Sequence, residues 1–255
     1  MAELPLRPLK WYKALATARG RKEAGSFLVE GVRQVRQLLL SGNLSLVEVL
    51  LEEGKEIDLP GDVPVRVLTP AQLRGISDAE APGGIVGVAA MPADVAAAAL
   101  PLVIGRVLFL EDIQDPGNVG TLIRSAAAFG FAGVILTPGC ADPFSPKVVR
   151  ASGGALGALW LRRSSHAWLL LQQLRGLGYL LVTADSCGGE AVPLAADRLV
   201  LALGNEGNGV SPQLRAMSDR IWTIPFVAER IESLNVAVAG SICMSRLYEA
   251  AGEDR

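Results

Sequence analysis

Short apolar runs alternate with helical patterns through the second half of the chain. In residues 107–137, the run Val107–Leu110 predicts a buried strand that opens into an acidic loop. Residues 115–117, Asp-Pro-Gly, break the chain, and apolar residues then recur at helical spacing as far as Phe129. Residues 134–136 supply the next strand. The pattern predicts a βαβ unit, and sheets of this kind bind ligands at the carboxyl ends of their strands.

The helix of this unit carries two polar side chains that can serve a ligand site. Asn118 is expected to cap the helix, and Gly130 stands where a left-handed C-cap belongs. At 100° per residue, Arg124 lies about 120° from Asn118 in projection. Its long side chain leans toward the helix N-terminus and can still reach the same cleft.

The remaining second half predicts a parallel α/β sheet with helices on its faces. The runs at 179–183 and Leu199–Leu203 are continuously apolar, as in strands that are buried on both faces. Further elements are expected at the following residues: a helix over 147–152 after Ser145-Pro146, a helix over 166–176, a short helix from Ser211-Pro212, a strand over 221–224 and a final helix over 234–250.

The first half predicts a smaller α/β unit. Its expected strands are 27–29, 46–51, 63–68 and 84–90, and its expected helices are 30–40 and 70–76. Residues 91–100, rich in alanine and bounded by prolines, are the expected linker. We therefore divide the chain into a domain over 1–98 and a domain over 99–255.

Composition narrows the class of protein. Hydrophobic residues make up 50% of the chain and charged residues 20%, enough for a sizeable core. No apolar run is long enough to span a membrane, and scattered charge in residues 1–20 argues against a signal peptide, so a cytoplasmic location is expected. The three cysteines are far apart and predict reduced thiols, with neither a disulfide nor a metal site.

The chain has one histidine, His166, at an expected helix start. Hydrolysis by a Ser-His-Asp or Cys-His arrangement would have to use that residue. A lone polar residue of this kind is usually structural, so we expect chemistry that works without histidine.

Charge is unevenly distributed along the chain. Residues 1–36 carry eight basic residues and three acids, whereas residues 47–80 carry eight acids and three bases. The basic segment includes Trp11 and Tyr12, and it could hold phosphates and stack a base. The alternative is a solvated amphipathic helix.

Three loops follow predicted strands: 111–118, 204–210 and 225–235. The second has three glycines within six residues, which permits close backbone approach to a ligand, but it matches neither a Walker A motif nor G-x-G-x-x-G. Glu206 within it has little to pack against. In the third loop, Ser233 and Asn235 are either helix caps or site residues.

Taken together, the three loops resemble motifs of the SpoU, or TrmH, family of RNA ribose 2′-O-methyltransferases. The motifs are DPGNVGTLIR at 115–124, LGNEGNG at 203–209, and IP followed by SLNVAVA at 224–239. Their order, spacing and placement at strand ends all match. Residues 1 to about 95, with FLVEG at 27–31, resemble the substrate-binding domain of many members, which is similar in fold to a small ribosomal protein.

The resemblance implies a trefoil knot formed by the chain from about Leu199 onward, S-adenosylmethionine as cofactor, and a homodimer whose site is completed across the interface. The implied cofactor residues are Thr183, Gly204, Ile224 and Leu234. The implied catalytic residues are Asn118, Arg124, Glu206, Ser233 and Asn235. The family picture makes Arg124 the general base, whereas a charged Arg124 that clamps the substrate phosphate is an equally physical hypothesis.

Among RNA substrates, the ribosomal-protein-like domain favours rRNA over tRNA by fold analogy. Two other functions stay open at this point. One is an assembly factor that binds RNA without catalysis, which the intact motif residues disfavour. The other is a nucleotide-binding enzyme such as a dehydrogenase, which the missing G-x-G-x-x-G disfavours.

Overall fold

The computed structural model describes residues 7–41, 43–59, 63–77, 83–101, 105–187, 196–227 and 229–252. Contacts divide the chain into two units. The first comprises Met1–Ala93 and Asp142–Ala158, and the second comprises Asp94–Ala141 and Leu159–Arg255. The domain boundary expected after residue 98 stays a prediction.

The first unit contains a four-stranded sheet in the order β1-β4-β2-β3. Strand β4 is antiparallel to both of its neighbours, and β3 is parallel to β2. The strands and helices predicted for this part of the chain are confirmed, and two short basic helices precede them. The elements are α1 (Leu9–Ala14), α2 (Ala18–Ala24), β1 (Ser26–Glu30), α3 (Val32–Ser41), β2 (Leu46–Glu52), β3 (Val65–Leu68), α4 (Pro70–Arg74) and β4 (Ile85–Ala90).

The idea that Tyr12 could stack a base is wrong. The Tyr12 side chain is fully buried in the core of the first unit, and its hydroxyl donates to Glu48 Oε2 over 2.9 Å. Trp11 is half-buried, and the guanidinium of Arg7 lies 4.2 Å from its ring centroid. Adjacent helix positions are turned by 100°, so Tyr12 enters the core while Trp11 packs at its margin and stays partly exposed.

Residues 142–158 group with the first unit although they lie far along the chain. Their helix α6 (Pro146–Ser152) begins at the proline after Ser145 and ends at Gly153 in the left-handed conformation, as predicted. A 3₁₀ turn follows at Ala155–Ala158. The buried Arg21 donates to Asp142 over 2.5 Å, and Phe27 packs on Phe144 with ring centroids 5.0 Å apart.

The second unit is a six-stranded sheet in the order β10-β8-β9-β5-β6-β7, with every neighbouring pair parallel. The predicted α/β fold class is confirmed; the strand β7 was not predicted, and the knot stays a prediction consistent with this fold. The elements are β5 (Val107–Leu110), α5 (Pro116–Ala128), β6 (Gly133–Leu136), β7 (Trp160–Arg163), α7 (Ala167–Gly176), β8 (Leu180–Ala184), β9 (Leu199–Leu203), α8 (Pro212–Met217), β10 (Arg220–Trp222) and α9 (Val236–Ala250).

Helix α5 is capped by Asp115, so the expected cap at Asn118 is wrong. The Asp115 carboxylate accepts from the Asn118 backbone N–H over 2.9 Å, and Pro116 occupies the first helical position. Proline suits that position because it lacks the N–H that would otherwise need a partner. Asn118 lies within the first turn, and its side chain is therefore free to make long-range contacts.

The expected linker is held against the second unit over half of its length. Arg162 donates to Asp94 Oδ2 over 2.5 Å and to the Ala99 carbonyl over 3.2 Å. The backbone N–H of Arg163 donates to the Val95 carbonyl. The side chains of Ser164 and Gln173 donate to the carbonyls of Ala96 and Ala98, respectively. The alanine-rich composition predicted a linker and gave no sign of these bonds, because most of them end on backbone carbonyls, which every residue carries.

Helix α9 packs against α5, where Ser125 and Ser241 approach with their hydroxyl oxygens 2.8 Å apart. The helix begins at Asn235, whose carboxamide oxygen accepts from the backbone N–H groups of Ala237 and Val238. Among the helices of the described residues, none has the length and apolar character needed to cross a membrane.

Candidate active site

The three motif loops meet at the carboxyl edge of the second sheet. Strands β5 and β9 are neighbours, and their last residues Leu110 and Leu203 are in register, so the loops that follow them start side by side. The third loop leads from β10 to Asn235 at the start of α9; within it, Ala228 lies outside the described residues. Parallel pairing therefore brings together segments that are about a hundred residues apart.

Glu206 joins the first two loops through its carboxylate. Its Oε1 accepts from Asp115 N over 3.0 Å and from Asn118 Nδ2 over 3.1 Å, and its Oε2 accepts from Gln114 N over 3.1 Å. Partial burial raises the pKa of Glu206, but these three hydrogen bonds favour the charged form and together leave the pKa below its ordinary value. Glu206 is therefore an ionised carboxylate at neutral pH.

Asn118 extends the network to the third loop. Its Nδ2 donates to Glu206, while its Oδ1 accepts from Asn235 Nδ2 over 3.1 Å. The carboxamide oxygen of Asn235 already accepts from two N–H groups in the first turn of α9, so Asn235 contacts Asn118 as a donor. The network thus fixes the orientation of both amides.

The second loop is a tight turn held by Asn205. Its side-chain oxygen accepts from Gly207 N over 3.0 Å and from Asn208 N over 2.9 Å, and its backbone carbonyl accepts from Gly209 N over 2.9 Å. A Cβ on Gly204 would lie 2.4 Å from the Gly209 carbonyl oxygen. Only glycine at 204 lets the two ends of the turn approach this closely.

A cavity of about 280 Å³ opens between these loops. Six of the predicted site residues line it: Gly204, Glu206, Ile224, Ser233, Leu234 and Asn235. Ser233 and Asn235 are exposed at the protein surface. The cavity therefore draws on the second and third motifs, and Asn118 of the first motif contacts its wall through Glu206 and Asn235.

Two predicted residues lie apart from this cavity. Thr183 is fully buried and is not among the lining residues; its hydroxyl oxygen lies 2.5 Å from that of Ser218. Arg124 is exposed on α5 and does not line the cavity, and its side chain makes no hydrogen bond or ion pair within the described part of the chain. The roles given to Thr183 and Arg124 stay predictions.

Sequence reasoning missed the wall that follows β8. Ala184, Asp185 and Ser186 line the cavity, as does Trp222, which pairs in register with Ala184. Asp185 forms an ion pair with Arg215, whose guanidinium also donates to the Cys187 carbonyl over 3.0 Å. The apolar run before Ala184 could have indicated this wall. Ligands bind at the carboxyl ends of parallel strands, and this holds for β8 as it does for β5 and β9.

The comparisons with known proteins agree with the three motifs. Residues 105–245 match the family model of the SpoU rRNA methylases, and residues 8–87 match the model of an MRM3-like substrate-binding domain. The first match covers more than half of the chain. The chain belongs to the SpoU family of RNA methyltransferases.

Relatives are similar over nearly their whole length. A Bacillus subtilis protein named 23S rRNA (guanosine(2553)-2′-O)-methyltransferase RlmP is 31% identical over 94% of this chain and 95% of its own. The SpoU methyltransferase AviRb from Streptomyces viridochromogenes, solved with AdoMet, has a TM-score of 0.81 at 28% identity, covering 97% of this chain and 98% of its own. An AdoMet-bound rRNA methyltransferase from Sinorhizobium meliloti has a TM-score of 0.80 at 25% identity, covering 98% and 97%.

As a SpoU methyltransferase, the chain is an S-adenosylmethionine-dependent enzyme, and its cavity suits that cofactor. Apolar side chains such as Leu203 and Ile224 offer surface to an adenine ring, while the lining includes the carboxylates of Asp185 and Glu206 but, among the described residues, neither Lys nor Arg. A cationic sulfonium is therefore not opposed by a like charge. Trp222 also lines the cavity, and its buried indole N–H has no hydrogen-bond partner within the described residues.

Proposed function

We propose that this SpoU methyltransferase methylates a ribose 2′-hydroxyl of large-subunit rRNA. The observation that carries the proposal is the hydrogen-bonded chain from Glu206 through Asn118 to Asn235, which ties all three motif loops together beside the cavity. The name of the Bacillus subtilis relative, which is similar along the whole chain, supports rRNA as the substrate class. An rRNA substrate also favours the cytoplasmic location that the sequence predicts.

Gly204, Ile224 and Leu234 would hold S-adenosylmethionine, largely through their backbone groups, and Thr183 would support the strand beside them. When bound, the cofactor supplies a methyl group on a sulfonium, which is already a good leaving group. The protein must then orient the ribose and accommodate one proton. We propose that the motif residues perform these tasks. The described residues contain no cluster of side chains that could bind a metal ion.

Asn118 and Asn235 would orient the RNA. Each has a carboxamide nitrogen with two N–H groups, of which the network uses one. The remaining N–H groups can donate to ribose or phosphate oxygens at the mouth of the cavity. Ser233, which is exposed in the same loop, adds a hydroxyl that can donate or accept there.

Arg124 would act on the phosphate next to the reactive ribose. A guanidinium stays protonated in proteins, and Arg124 is exposed with no carboxylate paired to it among the described residues. A charged clamp that stabilises the developing alkoxide fits these surroundings better than a general base. The pH dependence of the methyl-transfer rate in Arg124→Lys and Arg124→Ala separates the two roles. If Arg124 is the general base, the rate of the unmodified enzyme shows a titration that is absent from the variants. If Arg124 is a charged clamp, its replacement removes no titration.

The first unit would bind the RNA, in agreement with its match to a substrate-binding domain. Its exposed cations on the first two helices include Lys10, Lys13, Arg19 and Lys22. Because these charges act on phosphates, their removal should weaken RNA binding in a salt-dependent way and leave cofactor binding unchanged. The domain division after residue 98 belongs to the same proposal.

We also propose that the enzyme is a homodimer. A surface cavity of about 500 Å³ lies between α5 and α9. Its lining includes the apolar Phe129, Val238 and Ile242 beside the charged Arg246 and Glu249, and Val238 is 49% exposed. An exposed apolar groove of this kind commonly marks a protein interface. Light scattering on the purified protein tests it: Val238→Glu should give a monomer where the unmodified chain gives a dimer, and a monomeric unmodified chain would contradict the proposal.

The test of function is transfer of labelled methyl from S-adenosylmethionine to purified rRNA and, separately, to bulk tRNA. Alkali-resistant label in rRNA that Arg124→Ala abolishes is the expected result. Label in tRNA alone would make the chain a tRNA methyltransferase. Cofactor binding with no product on any RNA, including ribosome assembly intermediates, would favour an assembly factor, and binding of a nicotinamide cofactor would revive the dehydrogenase alternative.

A further inference from the structure

Asp112 has an unusual backbone conformation at the edge of the active site. It is the one non-glycine residue with positive φ among the described residues, at +52°. Left-handed backbone is unfavourable for residues with a Cβ, although Asp tolerates it better than most. Such conformations persist where the surrounding structure holds them in place, and they cluster at functional sites.

Two neighbouring strand ends hold Asp112 in this conformation. On the β6 side, the Thr137 hydroxyl accepts from Asp112 N over 2.8 Å and donates to Asp112 Oδ1 over 2.5 Å. On the β9 side, Asn205 Nδ2 donates to the Asp112 carbonyl over 2.7 Å. The residue therefore connects the loops after three adjacent strands.

The turn after β6 leaves room for this arrangement. A Cβ on Gly139 would lie 2.3 Å from Asp112 Oδ1, so the carboxylate occupies space that any other residue at 139 would fill. The carboxylate therefore lies between the Thr137 hydroxyl and the turn. Asp112 does not line the cavity, and its influence on the reaction must pass through other residues.

Both segments bound to Glu206 are connected to Asp112. Asn205, which is held by the Asp112 carbonyl, orders the turn that carries Glu206. On the other side, the chain leaving Asp112 buries Ile113 and directs the N–H groups of Gln114 and Asp115 at the Glu206 carboxylate. A change at Asp112 would move the carboxylate and its donors at the same time.

We propose that Asp112, held by Thr137, is a positioning residue for Glu206 in the methyl-transfer reaction. It acts by setting the direction of its own carbonyl and of the next three residues. Its predicted effect on methyl transfer rests on the proposed function. The ordering of the loops at 113–115 and 205–209 rests on the structure alone.

Kinetics of substituted enzymes test the first part. We expect Asp112→Ala to lower kcat for methyl transfer by about tenfold while KM for S-adenosylmethionine stays within about twofold. Asp112→Asn, which keeps an acceptor for Thr137 and tolerates left-handed backbone, should retain most of the activity. Thr137→Val and Thr137→Ser should behave as Asp112→Ala and Asp112→Asn do. The matched control is Asp58→Ala, an exposed aspartate of the first unit.

A double-mutant cycle shows whether the effect passes through Glu206. In a Glu206→Gln background, Asp112→Ala should lower kcat by less than about twofold, because the group that it positions has already been altered. An equal loss in both backgrounds would overturn the proposal, and so would Asp112→Ala enzyme with unchanged kcat. Thermal melts confirm that each variant is folded; if Asp112→Ala is not, the Thr137 pair decides.

Hydrogen exchange tests the ordering without any activity. Asp112→Ala should speed exchange of the amides in 113–115 and 205–209 by about tenfold or more, with the strands of the second sheet unchanged. Unchanged exchange in both loops would overturn the proposal. If the unmodified enzyme methylates no RNA but exchange responds as expected, the proposed function fails while the role of Asp112 in ordering the loops stands.

Discussion

Asn118 and Asn235, 117 residues apart in the chain, are joined by a hydrogen bond of 3.1 Å between their side-chain amides. Each residue also belongs to the first turn of a helix: Asn118 lies in α5, and Asn235 caps α9. Because both helices begin at the carboxyl edge of the same sheet, the bond fixes the relative position of the first and third motifs. Glu206 completes the connection from the second motif.

Removing the charge of Glu206 should slow the reaction. Glu206→Gln keeps the size of the side chain but replaces one acceptor oxygen with a donor, which then faces a backbone N–H group that also donates. We expect kcat to fall by about ten- to a hundredfold, because the loop that carries Asn118 loses its anchor. Glu53→Gln, at an exposed site in the first unit, is the matched control. Equal rates for the two variants would contradict a role for Glu206.

The same substitution predicts a pH dependence of stability. The pKa of Glu206 in the folded protein lies below its ordinary value, so its charged form stabilises the fold above that ordinary value, and the stabilisation is lost as the pH falls through the folded pKa. Denaturation midpoints of the unmodified chain and of Glu206→Gln should therefore differ at pH 7 and converge in acid. A difference that persists or grows as the pH falls would contradict the assignment.

Trp222 should report directly on cofactor binding. Its side chain is 1% exposed and lines the cavity, so a ligand changes the surroundings of the indole. In a variant whose other three tryptophans are phenylalanine, we expect the fluorescence to change on addition of S-adenosylhomocysteine and to saturate with the affinity measured by calorimetry. Trp222→Phe, with the other tryptophans intact, should show a much smaller change. Binding by calorimetry with unchanged Trp222 emission would contradict its place in the site.

Arg162 should matter for stability although it lies outside the site. Its side chain is 4% exposed and donates to Asp94, Ala99 and Leu161. Loss of a buried donor that satisfies several acceptors typically costs about 1–3 kcal/mol, so Arg162→Ala should lower the free energy of unfolding by that amount and expose residues 94–99 to protease. Arg19→Ala, which breaks the exposed pair with Glu23, should change it by less than about 0.5 kcal/mol. Equal effects of the two substitutions would refute this ranking.

The three cysteines should differ in reactivity. Cys187 is exposed, whereas Cys140 and Cys243 are buried. Burial raises the pKa of the Cys140 thiol, and it raises the pKa of Cys243 to about 12, so little of either is thiolate at neutral pH. Iodoacetamide at pH 8 should therefore label Cys187 alone in the native protein and all three after unfolding, as mass spectrometry of the peptides will show. Labelling of Cys243 at the rate of Cys187 would contradict this.

Much of the fold follows from local patterns. Continuous apolar runs such as Leu199–Leu203 become strands buried on both faces, and Ser145-Pro146 begins a helix, because burial and backbone geometry act over a few residues. The site loops were found for the same reason: the strand-end rule and the motif letters together indicated Glu206, Asn118 and Asn235. The family follows from those letters.

Other features depend on groups that are distant in sequence. Tyr12 is buried in the core of the first unit, where Glu48 accepts from its hydroxyl, and Arg162 donates to Asp94 and Ala99. Asp115 caps α5, because Pro116 fits the first helical position. The Asn118 side chain is therefore available to form hydrogen bonds with Glu206 and Asn235. The sequence by itself therefore determined most of the elements, the fold class and the family. Only the tertiary structure decided which polar groups pair, because such pairs form where strand ends converge and no local pattern encodes that convergence.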